Sequence, residues 1–205
     1  MQLTKNQLAY ILSATSEKNW IRPTLQYAYY LADTKVVVST DAYHLHEIQN
    51  VDLWTENLII DDKGIHTIPQ TYIHKFPDYL HFFPTDSTTI KATLNVSNIK
   101  LARDIAKVSL ESFQVKLTNG IIKAYQPDKL KNLDALDFQV KAYHHIEDTP
   151  LPTIGFNIDY LYQHTRYIDK PHITSISIKN ERSPIVLEST IDRHPVRTLI
   201  MPLKI

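Results

Sequence analysis

The 205-residue sequence contains no cysteine and only three glycines, Gly64, Gly120 and Gly155. The first absence excludes disulfides, thiolate-bound zinc and thiol nucleophiles. The second excludes the glycine-rich loops that cradle phosphates, because each of those needs several glycines close together. No apolar run is long enough to cross a bilayer and no signal-peptide pattern opens the chain, so a cytoplasmic protein with no membrane partner is expected. Charge of one sign is also missing: 22 Lys and Arg balance 22 Asp and Glu. Any contact with nucleic acid must therefore come from local segregation of charge.

What is present is an ordinary globular composition, 43% hydrophobic and 21% charged, sufficient for a real core in one large or two small domains. Thr4 with Gln7 three residues on is a capping box, Leu3 can staple to Leu8, and Leu8, Ile11, Leu12 and Thr15 mark one face of a first helix. Strand-forming stretches follow at Leu25 to Leu31, Val36 to Thr40, His44 to Ile48, Leu58 to Ile60 and Ile65 to Ile68. From Phe76 to Pro84 the chain is aromatic and proline-bearing without periodicity, which suits a linker packed on both neighbours, and the boundary is placed there: 1–84, then 85–205.

The second unit reads strand (Thr88 to Val96), a helix capped by Ser97 and running to about Val108, then strands at Phe113 to Leu117, Ile121 to Tyr125 and Phe138 to His144. Asn119-Gly120 is a hairpin signal and Gln126-Pro-Asp a turn signal. The pattern then repeats. Thr153 to Phe156 leads into Asn157, an N-cap for a helix over Ile158 to Ile168 that Pro171 ends, followed by strands at Ile173 to Lys179, Pro184 to Glu188 and Thr198 to the last residue, Ile205. Three amphipathic helices and many short strands make an α+β protein.

Four segments carry a resemblance. They are Arg22-Pro-Thr-Leu25 with Thr40-Asp-Ala-Tyr-His-Leu45; Phe76-Pro-Asp-Tyr79 with Pro84; Ile154-Gly-Phe-Asn157 followed by Tyr160-Leu161; and Ser183-Pro-Ile-Val-Leu-Glu188 with Leu199-Ile-Met-Pro-Leu-Lys-Ile205. In this order they are similar to segments of the bacterial DNA sliding clamp, the β subunit of DNA polymerase III. The resemblance implies a DNA-clamp fold, with antiparallel sheets outside and amphipathic helices on one face. It implies a non-enzymatic processivity factor with no cofactor, whose partners are duplex DNA, a DNA polymerase or other clamp-motif proteins, and a clamp loader where one is used.

Within that resemblance residues 1–84 look like half a domain. The expectation is a shortened, phage- or mobile-element-like version, forming a homo-oligomer for which a trimer is the simplest closure. The alternative is an adaptor or decoy that binds partner peptides without encircling DNA. Clamp-family pocket residues carried over by motif fall on Thr40, Ala42, Tyr43, His44 and Leu45, on Pro77, His81 and Phe82, and on Tyr160, Pro184, Leu199, Met201 and Pro202. Ala42 stands where the family has glycine, and Tyr43-His44 where it has His-Arg, so a narrower, less basic mouth is expected. Plain core packing is the competing account of Leu45, Phe82 and Leu199.

On the second helix Lys100, Arg103 and Lys107 cluster within roughly 60° of one another at helical spacing, opposite Ala102, Ile105, Ala106 and Val108. Such a face suits sequence-independent attraction to phosphates, and it equally suits a solvated surface. Lys5 and, with His164, Arg166 are candidates for the same surface. His44 and His46 beside Asp41 and Glu47, or His144-His145 with Glu147 and Asp148, could be drawn as metal ligands, but no recognised ligand spacing occurs and no metal or catalytic residue is assigned.

Overall fold

The computed structural model describes residues 2–16, 22–67, 76–83, 85, 87–109, 114–124, 139–145 and 150–203. The expected turn at Gln126 to Asp128 lies outside them. Helix α1, Lys5–Leu12, begins at the expected capping box: the Gln7 N–H donates to the Thr4 hydroxyl at 3.1 Å and the Thr4 N–H to the Gln7 side chain at 2.9 Å. Two donors that a helix start leaves open are thereby satisfied. The buried face is Gln7, Tyr10 and Ile11, one position round from the expected stripe. Tyr10 fills the centre, and Leu8 and Leu12 pack at the margin of the core.

Helices α2, Val96–Ser109, and α3, Ile158–Tyr167, complete the set among the described residues. Asn157 caps α3, accepting from the Asp159 N–H at 2.9 Å. The cap of α2 is Asn95, which accepts from the Asn98 N–H at 3.0 Å; Ser97, the expected cap, lies inside the first turn. Val108, expected in the core, is 81% exposed, while Ile99, Ala102 and Ala106 are fully buried.

The strands are β1 Ala28–Leu31, β2 Val36–Thr40, β3 His44–Ile48, β4 Leu58–Asp61, β5 Gly64–Thr67, β6 Thr88–Leu94, β7 Gln114–Thr118, β8 Ile121–Ala124, β9 Gln139–Lys141, β10 Tyr143–His145, β11 Ile154–Asn157, β12 Ile173–Ile178, β13 Ile185–Ile191 and β14 His194–Ile200. Three depart from expectation. The strand expected from Leu25 begins at Ala28, because Pro23 sits at the start of a 3-10 turn over Pro23–Gln26 and its fixed φ favours that turn. The strand expected over 138–144 divides at Ala142, so that β9 and β10 lie in different sheets. The last strand starts at His194, after a two-residue turn with positive φ at Asp192 and Arg193 (49° and 71°). It stops at Ile200, and Pro202 has no N–H with which to extend a ladder.

All strand pairs are antiparallel. A ten-stranded sheet runs β10-β6-β12-β13-β14-β3-β2-β1-β4-β5, and a four-stranded sheet runs β11-β7-β8-β9. The described residues thus contain one unit three times, a helix followed by a three-stranded meander: α1-β1-β2-β3, α2-β7-β8-β9 and α3-β12-β13-β14. The second and third units exchange lead strands, since β6, which precedes α2, pairs with β12, and β11, which precedes α3, pairs with β7. β4 pairs with β1 in the same manner, but turns at Asp61 into the β5 hairpin instead of leading into a helix. Segments 1–84 and 85–205 share one sheet through β3 and β14, where Leu45 faces Leu199 and Glu47 faces Arg197.

Alternation along the strands next to this seam explains why both faces are buried. Ala28, Tyr30, Val37, Ile48, Val196 and Ile200 enter the main core under the helices. Tyr29, Val38, Leu45 and Leu199 point the other way, into a second cluster roofed by Phe76, Tyr79 and Phe83. The linker is therefore a lid on the outer face of the sheet, opposite the helices.

Candidate functional site

At one end of this second cluster lies a cavity of about 170 Å³. The strands supply Thr40, Ala42, His44 and Leu45 from β2, its turn and β3, with Leu199 and Met201 from β14 and beyond. The linker supplies Pro77, Tyr79 and Phe82, and Arg22 stands at the margin. Two of these, Arg22 and Tyr79, were not among the residues read from the sequence as pocket residues, although both lie in the quoted motifs. Their motifs gave a segment, and only the folded linker shows which members of it turn inward.

The remaining pocket candidates do not line the cavity. Tyr43 is 65% exposed, and its carbonyl accepts from the Met201 N–H at 2.9 Å. Tyr160 stacks on His44 with ring centroids 4.1 Å apart and so supports a lining residue from behind. His81 is exposed, against Phe82 at 4.0 Å between centroids and 3.7 Å from Asp78. Pro184 stands just before β13, and Pro202 just beyond Met201.

The polar groups near the mouth are fixed by the turn at Asp41. Its carboxylate accepts from the N–H groups of Tyr43 at 2.8 Å and His44 at 2.9 Å and lies 3.0 Å from His44 Nδ1. Burial opposes ionisation of Asp41, but the hydrogen bonds and charge of His44 outweigh it and hold the carboxyl below its ordinary range. The same turn puts Ala42 at φ 79°, the left-handed region that favours glycine. His44 Nε2 is 3.0 Å from the Gln163 amide oxygen, which ties the cavity rim to α3.

On the opposite face lie the helices. Lys5, Lys100, Lys107 and Arg166 are exposed. Arg103 is drawn inward: it donates to Asp159, approaches Asp104 at 3.5 Å and stands over the Tyr162 ring at 4.8 Å. Asp104, exposed between Lys100 and Lys107, shares their side of α2. Arg103 and Arg166 also border a polar groove of about 670 Å³ whose other wall is Asp61, Asp62 and Lys63. His164 does not join this surface. It is fully buried, bonded to Thr198 at 2.9 Å and Ser189 at 3.2 Å, and burial pushes it down to about 3.

Among the described residues no group of three or more His, Asp and Glu is arranged to hold a metal ion. His44 and His46 adjoin, with ring centroids 5.0 Å apart; His44 faces Asp41 and Gln163 and His46 Nδ1 faces the Tyr10 carbonyl, and the pair has no third ligand arranged beside it among the described residues. Glu147 and Asp148 lie outside the described residues. No helix of the described residues is long and apolar enough to cross a membrane.

No protein-family model and no curated protein matches the chain. Solved structures do. The β subunit of DNA polymerase from Streptococcus pyogenes aligns with a TM-score of 0.73 at 15% identity, over 98% of this chain and 63% of its own. The Streptococcus pneumoniae DNA polymerase III β chain aligns at 0.72 and 18%, over 98% and 62%, and the Bacillus subtilis sliding clamp at 0.70 and 17%, over 98% and 62%. The chain spans less than two thirds of the length of each. Its fold is that of the bacterial DNA polymerase III β sliding clamps.

Proposed function

We propose that this chain is a clamp-type, non-enzymatic docking platform for DNA replication. It holds a short apolar peptide of a polymerase or other partner in the cavity at the β3–β14 seam and presents its helices to duplex DNA. The observation that carries the reading is the cavity itself. Eight of the thirteen residues carried over by motif line it, Thr40, Ala42, His44, Leu45, Pro77, Phe82, Leu199 and Met201. They come from three separated stretches, two strand regions and a linker, which a core-packing account gives no reason to leave hollow. An apolar floor, an adaptable Met and a few polar groups at the rim are what a side-chain anchor requires.

The test is fluorescence anisotropy with a labelled hexapeptide bearing two leucines and a phenylalanine. Saturable binding that Met201→Glu abolishes is the expected result. Binding unaffected by that charge, or no binding by the wild type, removes the pocket.

A second reading, an adaptor that takes partner peptides without encircling DNA, is favoured by the unit count. Among the described residues three helix-meander units leave an odd number of third strands; β3 and β14 pair with each other, and β9 is the last strand of its sheet. Light scattering on the eluting protein separates the two readings. A discrete oligomer, the trimer foremost, supports a ring; a monomer at every concentration supports the adaptor.

A further inference from the structure

Beside the cavity, but not lining it, Glu47 of β3 faces Arg197 of β14 across the seam. Glu47 is fully buried. Arg197 Nε and Nη2 donate to its Oε1 at 3.0 and 2.7 Å, Nη2 donates to Oε2 at 3.0 Å, and the Gln49 amide adds a contact at 2.7 Å. A carboxylate buried this deeply is tolerable only while its cation and donors stay in place. The other side of the guanidinium covers the Phe83 ring at 4.1 Å. Phe83 meets Tyr79 edge-on at 6.2 Å, and burial and the charge of the nearby Glu47 carboxylate push the Tyr79 phenol up. Phe83 is thus held against the ion pair, and Tyr79 against Phe83.

That fastening bears on the cavity, because Tyr79 and Phe82 form its linker wall while Thr40, Leu45 and Leu199 form its strand wall. Between Tyr79 and Phe83 the chain makes a single 3-10 turn, Leu80–Phe82, whose N–H groups donate only locally: Phe82 to the Tyr79 carbonyl at 3.0 Å and Phe83 to that of Leu80 at 3.2 Å. Such a turn has little hold of its own on the sheet, and Leu80 and Phe82 are substantially exposed. We infer that the Glu47–Arg197 pair is a positioning element of the pocket, holding the linker wall in its binding geometry without touching the occupant. The inference rests on the peptide-pocket reading above.

The experiment uses the full chain and the same labelled hexapeptide, with Arg197→Met, Arg197→Lys and Glu47→Gln, each titrated well below its urea midpoint so that only folded protein is read. Hydrogen exchange at residues 79–83 is followed in parallel. Arg197→Met weakens the peptide on the order of tenfold, since a wall no longer preorganised must be ordered by the ligand, and the linker amides exchange faster. Arg197→Lys, which keeps a cation over Phe83 but loses the fork, recovers part of the affinity. A purely structural pair shifts the midpoint and leaves the affinity of the folded fraction unchanged. Affinity within twofold of wild type in Arg197→Met, or linker exchange unchanged, overturns the inference alone. A wild type that binds no peptide overturns the pocket reading and the inference with it.

Discussion

The imidazole of His46 lies flat on the ring of Tyr10, with centroids 4.1 Å apart and planes inclined by 6°. His46 Nδ1 donates to the Tyr10 carbonyl at 2.8 Å, and Nε2, buried, has no hydrogen-bond partner among the described residues. The Tyr10 hydroxyl bonds Thr198 at 2.7 Å, and Thr198 also bonds His164. This stack joins α1, β3, α3 and β14, so the seam between the N-terminal and C-terminal segments is held on its helix side by two neutral histidines.

Acid should therefore weaken the fold. Burial, first, and the neighbouring histidines hold His46 well below its ordinary 6.5, and burial takes His164 to about 3. The unfolded chain binds protons that the folded chain refuses, so stability is full above about pH 6.5 and falls as the pH drops from there toward 3. A group held this far down contributes a slope of about 1.4 kcal/mol per pH unit, so between pH 7 and pH 5 His164 costs about 2 kcal/mol, and His46 adds to the loss in the same direction. Urea unfolding at the two pH values measures it. Equal midpoints mean that these histidines are not buried neutral.

Ala42 is the second test. Its φ of 79° costs a residue with a Cβ roughly 1–2 kcal/mol, partly offset by the smaller chain entropy of alanine when unfolded. Ala42→Gly should raise stability by about 0.5–1 kcal/mol and widen the cavity mouth at that edge. Denaturant midpoints decide the first effect and peptide affinity the second; a loss of stability would show that the turn is not strained.

Gly120 gives the opposite case. With φ 78° it follows Asn119 at 46° in the β7–β8 turn, and a Cβ there would lie 3.1 Å from Tyr143 Cε2 and 3.2 Å from the Tyr143 carbonyl oxygen. Backbone cannot move aside as a side chain can, and Tyr143 is itself packed in the core with its phenol pushed up to about 12 by burial. Gly120→Ala should cost about 1–3 kcal/mol. A Gly120→Ala urea midpoint unchanged from wild type would contradict the contact.

Local chemistry was readable in the sequence and distant registration was not. The Thr4 capping box, the Asn157 cap and the Asn119-Gly120 turn depend on residues within a few positions of one another, and each is found as read. Most of the cavity lining followed from motif positions. Arg197, by contrast, is one cation in an alternating strand, and Glu47 one carboxylate beside two histidines; that they meet is fixed by the β3–β14 register, 150 residues apart. His164 misled for the same reason. Helical spacing gave its face, and only the packing of α3 against β14 shows that this face is inward. Arg103 and Lys100 look alike in sequence until Asp159 arrives from another helix.

That last difference sets the prediction for DNA. Lys100 and Lys107 are exposed, whereas Arg103 is committed to Asp159 and Asp104. If α2 faces phosphates, Lys100→Glu with Lys107→Glu should lower the salt slope of duplex binding by about 2, one unit per lost contact, and weaken binding across unrelated sequences alike. Arg103→Met should change that slope by less than either lysine, and should reveal itself in stability through the unpaired Asp159. The measurement is a duplex titration over a series of salt concentrations. Asp104, lying between the lysines, supplies the converse: Asp104→Asn removes a repulsion from the same face and should tighten binding severalfold at low salt, an effect that fades as screening grows. A duplex affinity that ignores all three changes would mean that this helix face is merely solvated.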